Sequence, residues 1–263
     1  MCLLIVAWRV HPRYPLLLAG NRDELHARPA AALDWWTEPV ELLAGRDLEA
    51  GGTWLGVTSH GRLGVVTNVR GSPRQHDGAP SRGAFIPRFA ASRRGALDFA
   101  TALAADADAY AGFNLLLHDG DQLVFASNAP SFTTRALPPG IYGLSNDSLD
   151  VPWPKVVRTR ARLNTILADD EPRREAMFEA LTDTAPATAR ELATSQGREP
   201  VTTPPFVLDP VYGTRCTTLV LMGADGLVEV EERRYDARGA TSGTSAERFL
   251  AGAGTARPGT TTP

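Results

Sequence analysis

The sequence predicts an α+β fold in which two mainly antiparallel sheets stack face to face with helices on the outside. Three observations carry that prediction. Short apolar runs come in pairs joined by turn residues, helical stretches interrupt them in two blocks, and hairpins resume after each block. A hairpin sheet must bury its apolar faces against another layer, and sheets that alternate with helical blocks do so by stacking with helices outside.

The first pair is Leu3 to Val10 and Tyr14 to Ala19, joined by His11-Pro12-Arg13. Both runs are nearly continuous in apolar residues, which suits strands covered on both faces. The second pair, Thr53 to Thr58 and Arg62 to Asn68, flanks the turn Ser59-His60-Gly61. Helices are predicted over Ala84 to Ala91 and Ala96 to Ala104. A third hairpin joins Phe113–His118 to Gln122–Ala126 through Asp119-Gly120-Asp121, and a short strand is expected over Ile141 to Leu144. From Lys155 to Leu167 a helix places Val156, Leu163 and Leu167 on one face, at spacings of seven and four. Helical segments follow over Arg173 to Leu181 and near Thr188 to Ala193. The last predicted hairpin is Cys216–Met222, the turn Ala224-Asp225-Gly226, and Leu227–Tyr235. Residues 1–250 read as one domain. From Ala251 the Gly, Thr, Ala and Pro tail has almost nothing to bury and is expected to be disordered.

Composition narrows the function. The chain has 263 residues, 43% apolar and 22% charged, with a formal charge of −3. That balance is ordinary for a soluble globular protein and lacks the basic excess of a nucleic-acid binder. No apolar run approaches the roughly 18–20 residues needed to span a bilayer. The apolar start has no positive leader and Arg9 closes it early, so a first strand is expected there rather than a signal peptide. With only two cysteines, Cys2 and Cys216, a disulfide framework is not expected and a reducing cytoplasm fits best. The Asn146-Asp147-Ser148 sequon is uninformative in that setting.

No Gly-x-Ser-x-Gly elbow, P-loop, Cys-x-x-Cys or His-Glu-x-x-His occurs. The five histidines, His11, His26, His60, His76 and His118, are scattered and read as turn and surface residues, so neither metal nor cofactor is expected. Cys2 remains. Trimming of the initiator Met1 would leave a thiol and a free α-amine on one residue. The amine titrates near pH 7.7–8.0 when unperturbed, about where a general base is useful, and it can replace the histidine of an ordinary dyad. From position alone, a buried strand cysteine is the simpler reading; its neighbours favour the nucleophile.

Where the second strand runs out of apolar residues comes Asn21-Arg22-Asp23-Glu24. Further blocks are Gly51-Gly52-Thr53-Trp54-Leu55-Gly56, Thr67-Asn68, Ser81-Arg82-Gly83, Gly112-Phe113-Asn114-Leu115-Leu116, Tyr142-Gly143-Leu144-Ser145-Asn146, Pro152-Trp153-Pro154-Lys155 and Tyr212-Gly213-Thr214-Arg215. With these blocks in order, to about Tyr235, the chain resembles the NRDE family, also called the transport and Golgi organisation 2 family. That family is similar in turn to the choloylglycine hydrolase and penicillin V acylase group. The resemblance implies a four-layer αββα N-terminal-nucleophile hydrolase-like sandwich that cleaves linear amides.

Carried over by position, the implied catalytic set is Cys2, Arg22, Asp23, Asn68, Asn146 and Arg215, with Asn21, Glu24 and Asn114 as secondary candidates. Here Arg22 and Asp23 are adjacent, whereas that group separates its Arg and Asp by two residues. Asp23 or Glu24 therefore fills the acidic role. A cation beside Cys2 would favour its thiolate, the acid would orient the new α-ammonium, and Asn68 or Asn146 would donate to the oxyanion. Arg215, expected at a strand start, would balance Asp23 or bind a substrate anion. Each has a structural alternative: an ion pair for Arg22, turn caps for the asparagines, a tight turn for Gly51-Gly52, an inert core thiol for Cys216. The expected partner is a small-molecule amide or acyl substrate. The alternative implied by the family is a non-catalytic protein that handles haem or an acyl ligand.

Overall fold

The computed structural model describes residues 3–71, 78–195 and 203–252. Cys2, His76 and the tail beyond Gly252 lie outside the described residues. Among the described residues one sheet holds six strands: β1 (Leu3–Trp8), β2 (Leu16–Leu25), β10 (Gly140–Leu144), β11 (Tyr212–Met222), β12 (Leu227–Tyr235) and β13 (Thr241–Leu250). Their order is β10-β1-β2-β11-β12-β13. The other holds β3 (Ala30–Trp36), β4 (Leu42–Asp47), β5 (Leu55–Val57), β6 (Leu63–Asn68), β7 (Phe113–His118), β8 (Leu123–Ser127) and β9 (Thr133–Ala136), neighbours in chain order. Every pairing is antiparallel. The helices are α1 (Phe85–Ala91), α2 (Ala96–Ala102), α3 (Pro154–Ile166), α4 (Arg174–Leu181) and α5 (Ala189–Thr194).

Alternation along the strands makes this a four-layer αββα sandwich. Leu4, Val6 and Trp8 join Leu16 and Leu18 in a core shared with Leu55, Val57, Val65 and Leu116 of the facing sheet. Their odd-numbered neighbours Leu3, Ile5, Ala7, Leu17 and Ala19 face outward against Val156 and Leu163 of α3 and Met177, Phe178 and Leu181 of α4. On the far side, Val66, Phe113, Leu115 and Val124 meet Phe85, Ile86 and Phe89 of α1 and Phe99 of α2. Strands buried on both faces explain the continuous apolar runs. The N-terminal-nucleophile hydrolase-like layering implied by the resemblance is therefore present.

Several expectations need correction. The second strand does not stop at Ala19; it continues to Leu25, and the whole polar tetrapeptide lies in the ladder opposite β11. Arg215 is not at a strand start but inside β11, at the register shift between Thr214 and Cys216. His11 and His118 are buried, not surface residues. Strands β3, β4, β9 and β13 carried no clear signal. β13 and β9 are edge strands with mostly exposed, polar sequence, so backbone pairing alone identifies them. In β3 the register shifts between Ala31 and Asp34, which breaks the alternation; Glu232 Oε1, from the other sheet, accepts the Leu33 N–H at 3.0 Å.

Candidate functional site

Because side chains alternate, the tetrapeptide is split across its own sheet. Arg22 and Glu24 share the parity of Leu16 and Leu18 and line the space between the sheets. Asn21 and Asp23 share that of Leu17 and Ala19, on the side of α4. Asn21 is fully buried there. Its Nδ2 donates to the carbonyls of Leu181 and Pro205, both at 2.8 Å, and its Oδ1 accepts from Thr217 Oγ1 at 2.7 Å. Buried Asp23 accepts from Thr214 Oγ1 at 2.7 Å through Oδ1, and its carbonyl accepts from the Tyr212 hydroxyl at 3.2 Å.

Arg22 is only 4% exposed. Its guanidinium stacks 4.3 Å over the Trp54 ring and lies 3.8 Å from Glu24 Oε2. Trp54 reaches this position because Gly45 lies beneath it: a Cβ there would stand 2.5 Å from Trp54 Cζ2. Among the described residues the acid in charge contact with Arg22 is thus Glu24.

These residues open onto a cavity of about 490 Å³, lined also by Arg28, Asn68, Ser81 and Arg82. The Gly51-Gly52-Thr53 and Ser81-Arg82-Gly83 blocks meet at its wall. Thr53 N–H donates to Gly83 O at 3.1 Å, and a Cβ on Gly52 would come within 2.6 Å of the Gly83 carbonyl carbon. Gly51, at φ 72°, makes the tight turn expected of it. Arg82 donates to Gly112 O at 2.9 Å; burial lowers its pKa, Glu24 opposes that, and Arg28 adds to it. Arg28 is itself neutralised by Asp47 and Glu49, each at 2.8 Å. Burial would raise the Asp47 pKa, but hydrogen bonds from Arg28 and from the Ala50 and Glu49 amides outweigh it and leave it lowered.

The asparagines divide into two kinds. Asn114 Nδ2 donates to Thr67 Oγ1 at 3.2 Å and to Asp147 O at 2.8 Å, while Thr67 Oγ1 donates to Ser145 O at 3.0 Å. Asn146 Nδ2 donates to Asn68 O at 3.0 Å. Both therefore staple the loop after β10 to the ends of β6 and β7, across the two sheets. The Asn68 side chain lines the cavity and makes no hydrogen bond among the described residues. Arg215 Nη1 donates to the carbonyls of Leu25, His26 and Arg28 at 2.9, 3.2 and 3.1 Å, which pins the turn from β2 to β3. Burial lowers its pKa, and the charge of Arg22 adds to this.

The described members of the set thus lie at one end of the sandwich, where β1 begins with Leu3 opposite Asn21. Arg22, Glu24 and Asn68 face the cavity, whereas Asn21, Asn114, Asn146 and Arg215 are engaged in holding its walls. Buried Cys216 lies opposite Arg22 in the ladder, and burial pushes its thiol well up, with Glu232 adding to the shift, as an inert core thiol requires. Trp54, Arg28 and Arg82 had no assigned role. Trp54 and Arg82 stood in quoted blocks, but only the fold brings them beside Arg22. Among the described residues no group of three His, Cys, Asp or Glu could hold a metal ion.

A family model described as Transport and Golgi organisation 2 matches residues 1–237. The chain belongs to that family. The Bos taurus Transport and Golgi organization protein 2 homolog is 34% identical over 256 residues, covering 89% of this chain and 92% of its own length. The Homo sapiens homolog is 31% identical with the same coverage. A solved structure, the Caenorhabditis elegans ortholog of N-acylethanolamine-hydrolyzing acid amidase, is similar over 84% of this chain and 92% of its own, at a TM-score of 0.45 and 11% identity. No helix among the described residues of this Transport and Golgi organisation 2 family member is long and apolar enough to cross a membrane.

Proposed function

We propose that this protein is a cysteine N-terminal-nucleophile amidohydrolase that cleaves a linear, non-peptide C–N bond through Cys2 after removal of Met1. The observation that supports it most is the meeting, at one end of the sandwich, of the start of β1 with buried Arg22, buried Asp23 and a cavity bearing Asn68. Cys2 is bonded to Leu3, whose ladder partner Asn21 immediately precedes Arg22.

In this reading the α-amine of Cys2 takes the thiol proton and Arg22 stabilises the resulting thiolate. The sulfur attacks the amide carbon, forming a C–S bond, and the carbonyl oxygen becomes an oxyanion that Asn68 Nδ2 stabilises. Asn68 is preferred to Asn146 because the Asn146 amide already donates to a carbonyl. The α-ammonium returns its proton to the leaving nitrogen as the C–N bond breaks. Water, deprotonated by the same amine, then hydrolyses the thioester and restores the thiol. Asp23, held by Thr214 on the α4 side of β2, or Glu24, beside Arg22 in the cavity, orients the ammonium.

Intact-mass measurement tests the premise and the step together. The purified protein should lack Met1, release amine from a panel of N-acyl p-nitroanilides, and gain one acyl mass on brief exposure to the cleaved substrate. Cys2→Ala should abolish both turnover and adduct. An active protein that retains Met1, or full turnover in Cys2→Ala, would overturn the mechanism.

A further inference from the structure

The opposite end of the sandwich carries a second cavity, of about 670 Å³, where hairpin turns of both sheets converge. Its walls come from the β1–β2, β5–β6, β7–β8 and β11–β12 turns. They are tied across the sheets: Arg9 Nη2 donates to Asp121 O at 2.9 Å and Gly252 N–H to Ser59 O at 3.0 Å. The volume is within the range of small-molecule sites.

Its lining pairs an apolar body with a one-sided set of polar groups. Val10, Pro12, Pro15 and Ala251 supply accessible apolar surface above the buried Trp8, Leu16, Met222 and Val228, and Arg9, His60 and His118 supply the exposed or reachable polar atoms. Among the described residues no Asp or Glu lines it. Of the acids flanking the turn, Asp119 is taken up by the backbone N–H groups of Ala96, Asp121 and Gln122, and Asp121 meets Arg9 through its backbone carbonyl. The fourth basic lining residue, His11, is committed as well. Its Nδ1 accepts the Arg13 and Tyr14 amides, so its Nε2 donates to Asp169 O.

His118 is different. It is 5% exposed, packs edge-on to Trp8 at 5.2 Å, and its Nδ1 must donate to Gln122 O at 3.0 Å, because a carbonyl only accepts. That bond leaves Nε2 as a bare acceptor, and no protein group among the described residues occupies it. Burial lowers the His118 pKa, which keeps the ring neutral and the acceptor available. On the other side Arg9 sits in the left-handed region, at φ 50°, with its guanidinium 4.6 Å over the Trp8 ring. A non-glycine residue held there is the kind of local strain that accumulates at binding sites.

A cation and a neutral acceptor, both against one indole in a cavity whose described lining holds no acid, define a ligand class. We infer that this cavity is a second binding site, for a small apolar carboxylate that also carries an N–H or O–H donor. The carboxylate pairs with Arg9, the donor with His118 Nε2, and the hydrocarbon body packs on Val10, Pro12, Pro15 and Ala251. The site is independent of the amidohydrolase reading, since it shares no residue with the Arg22 cavity.

Indole-3-acetate is a suitable probe, compared by titration calorimetry with indole-3-acetamide, which lacks the charge, and with 1-methylindole-3-acetate, which lacks the donor. Each analogue should bind about tenfold more weakly, the usual worth of a hydrogen bond to a charged or buried partner. Arg9→Gln should erase the preference for acid over amide. His118→Asn, which can keep a donor toward Gln122 while removing Nε2, should erase the preference for N–H over N-methyl. Asn68→Ala, at the far end, should leave the affinity unchanged. Should His118→Asn fail to fold, Arg9→Gln and the ligand pairs still decide the matter. Absence of saturable binding, an acid-over-amide preference that survives in Arg9→Gln, or loss of binding in Asn68→Ala would overturn the assignment.

Discussion

Asn21 opens the tetrapeptide that marks this sequence, yet its geometry is that of a bolt rather than a reagent. Replacing it with Asp tests this, because the side chain keeps its shape and loses only its two donors. In Asn21→Asp the atom replacing Nδ2 faces the carbonyl oxygens of Leu181 and Pro205, while the other oxygen can still accept from Thr217. A buried acceptor left without a donor costs about 1–3 kcal/mol, so two cost about 2–6 kcal/mol, a large share of a typical domain's stability. A protonated carboxyl would restore one of the two bonds. Burial and the facing carbonyls both favour that protonated form, so the folded pKa of the new carboxyl is raised above its unfolded value of about 3.9. The sign follows: the folded state binds the extra proton. The variant is thus least impaired below pH 4 and loses up to about 1.4 kcal/mol per pH unit until the folded pKa is passed. Urea unfolding of wild type, Asn21→Asp and Asn21→Ala at pH 5 and pH 7.5 measures this. Asn21→Ala removes the same donors without adding a titrating group, so its deficit should be flat with pH. An Asn21→Asp protein within about 1 kcal/mol of wild type at pH 7.5, or a deficit as flat as that of Asn21→Ala, would refute the assignment of Asn21 as a strut between β2 and α4.

Three further outcomes are expected. In Gly143→Ala the new methyl would collide with Val156 Cγ1 on α3; the cost should be about 1–3 kcal/mol by denaturant unfolding, and adding Val156→Ala should recover part of it rather than add to it. In a Cys2→Ala background, Cys216 should resist Ellman's reagent at pH 8 until urea unfolds the chain, since burial raises its pKa; prompt labelling would contradict its place in the core. Glu191, which accepts from Arg158 and from the Thr188 amide and hydroxyl, is held at about 2; being depressed, it stabilises the fold above the ordinary carboxylate range and loses that contribution as pH falls toward its folded value. The stability difference between wild type and Glu191→Gln should therefore shrink with acidification, and a constant difference would exclude the linkage.

The sequence by itself determined the layers and the family. Continuous apolar runs in β1 and β2 demanded cover on both faces, turn residues marked the hairpins, and the helical spacing of Val156 and Leu163 oriented α3. These are local properties, set by period and turn chemistry within one stretch of chain. Edge strands such as β13 were not legible, because their register comes from a neighbour's backbone and not from their own side chains. The same limit applied to the site. Position in the chain put Arg22, Asp23 and Glu24 together, but only the pleat, paired with β11, sent Arg22 and Glu24 into the cavity and Asp23 to the other face. Nothing in the sequence showed that the side-chain donors of Arg215 and Asn146 go to backbone carbonyls. The cavity at the opposite end had no sequence signal, because Trp8, Arg9, His60 and His118 come from three separate stretches of chain that meet only when the two sheets close on each other.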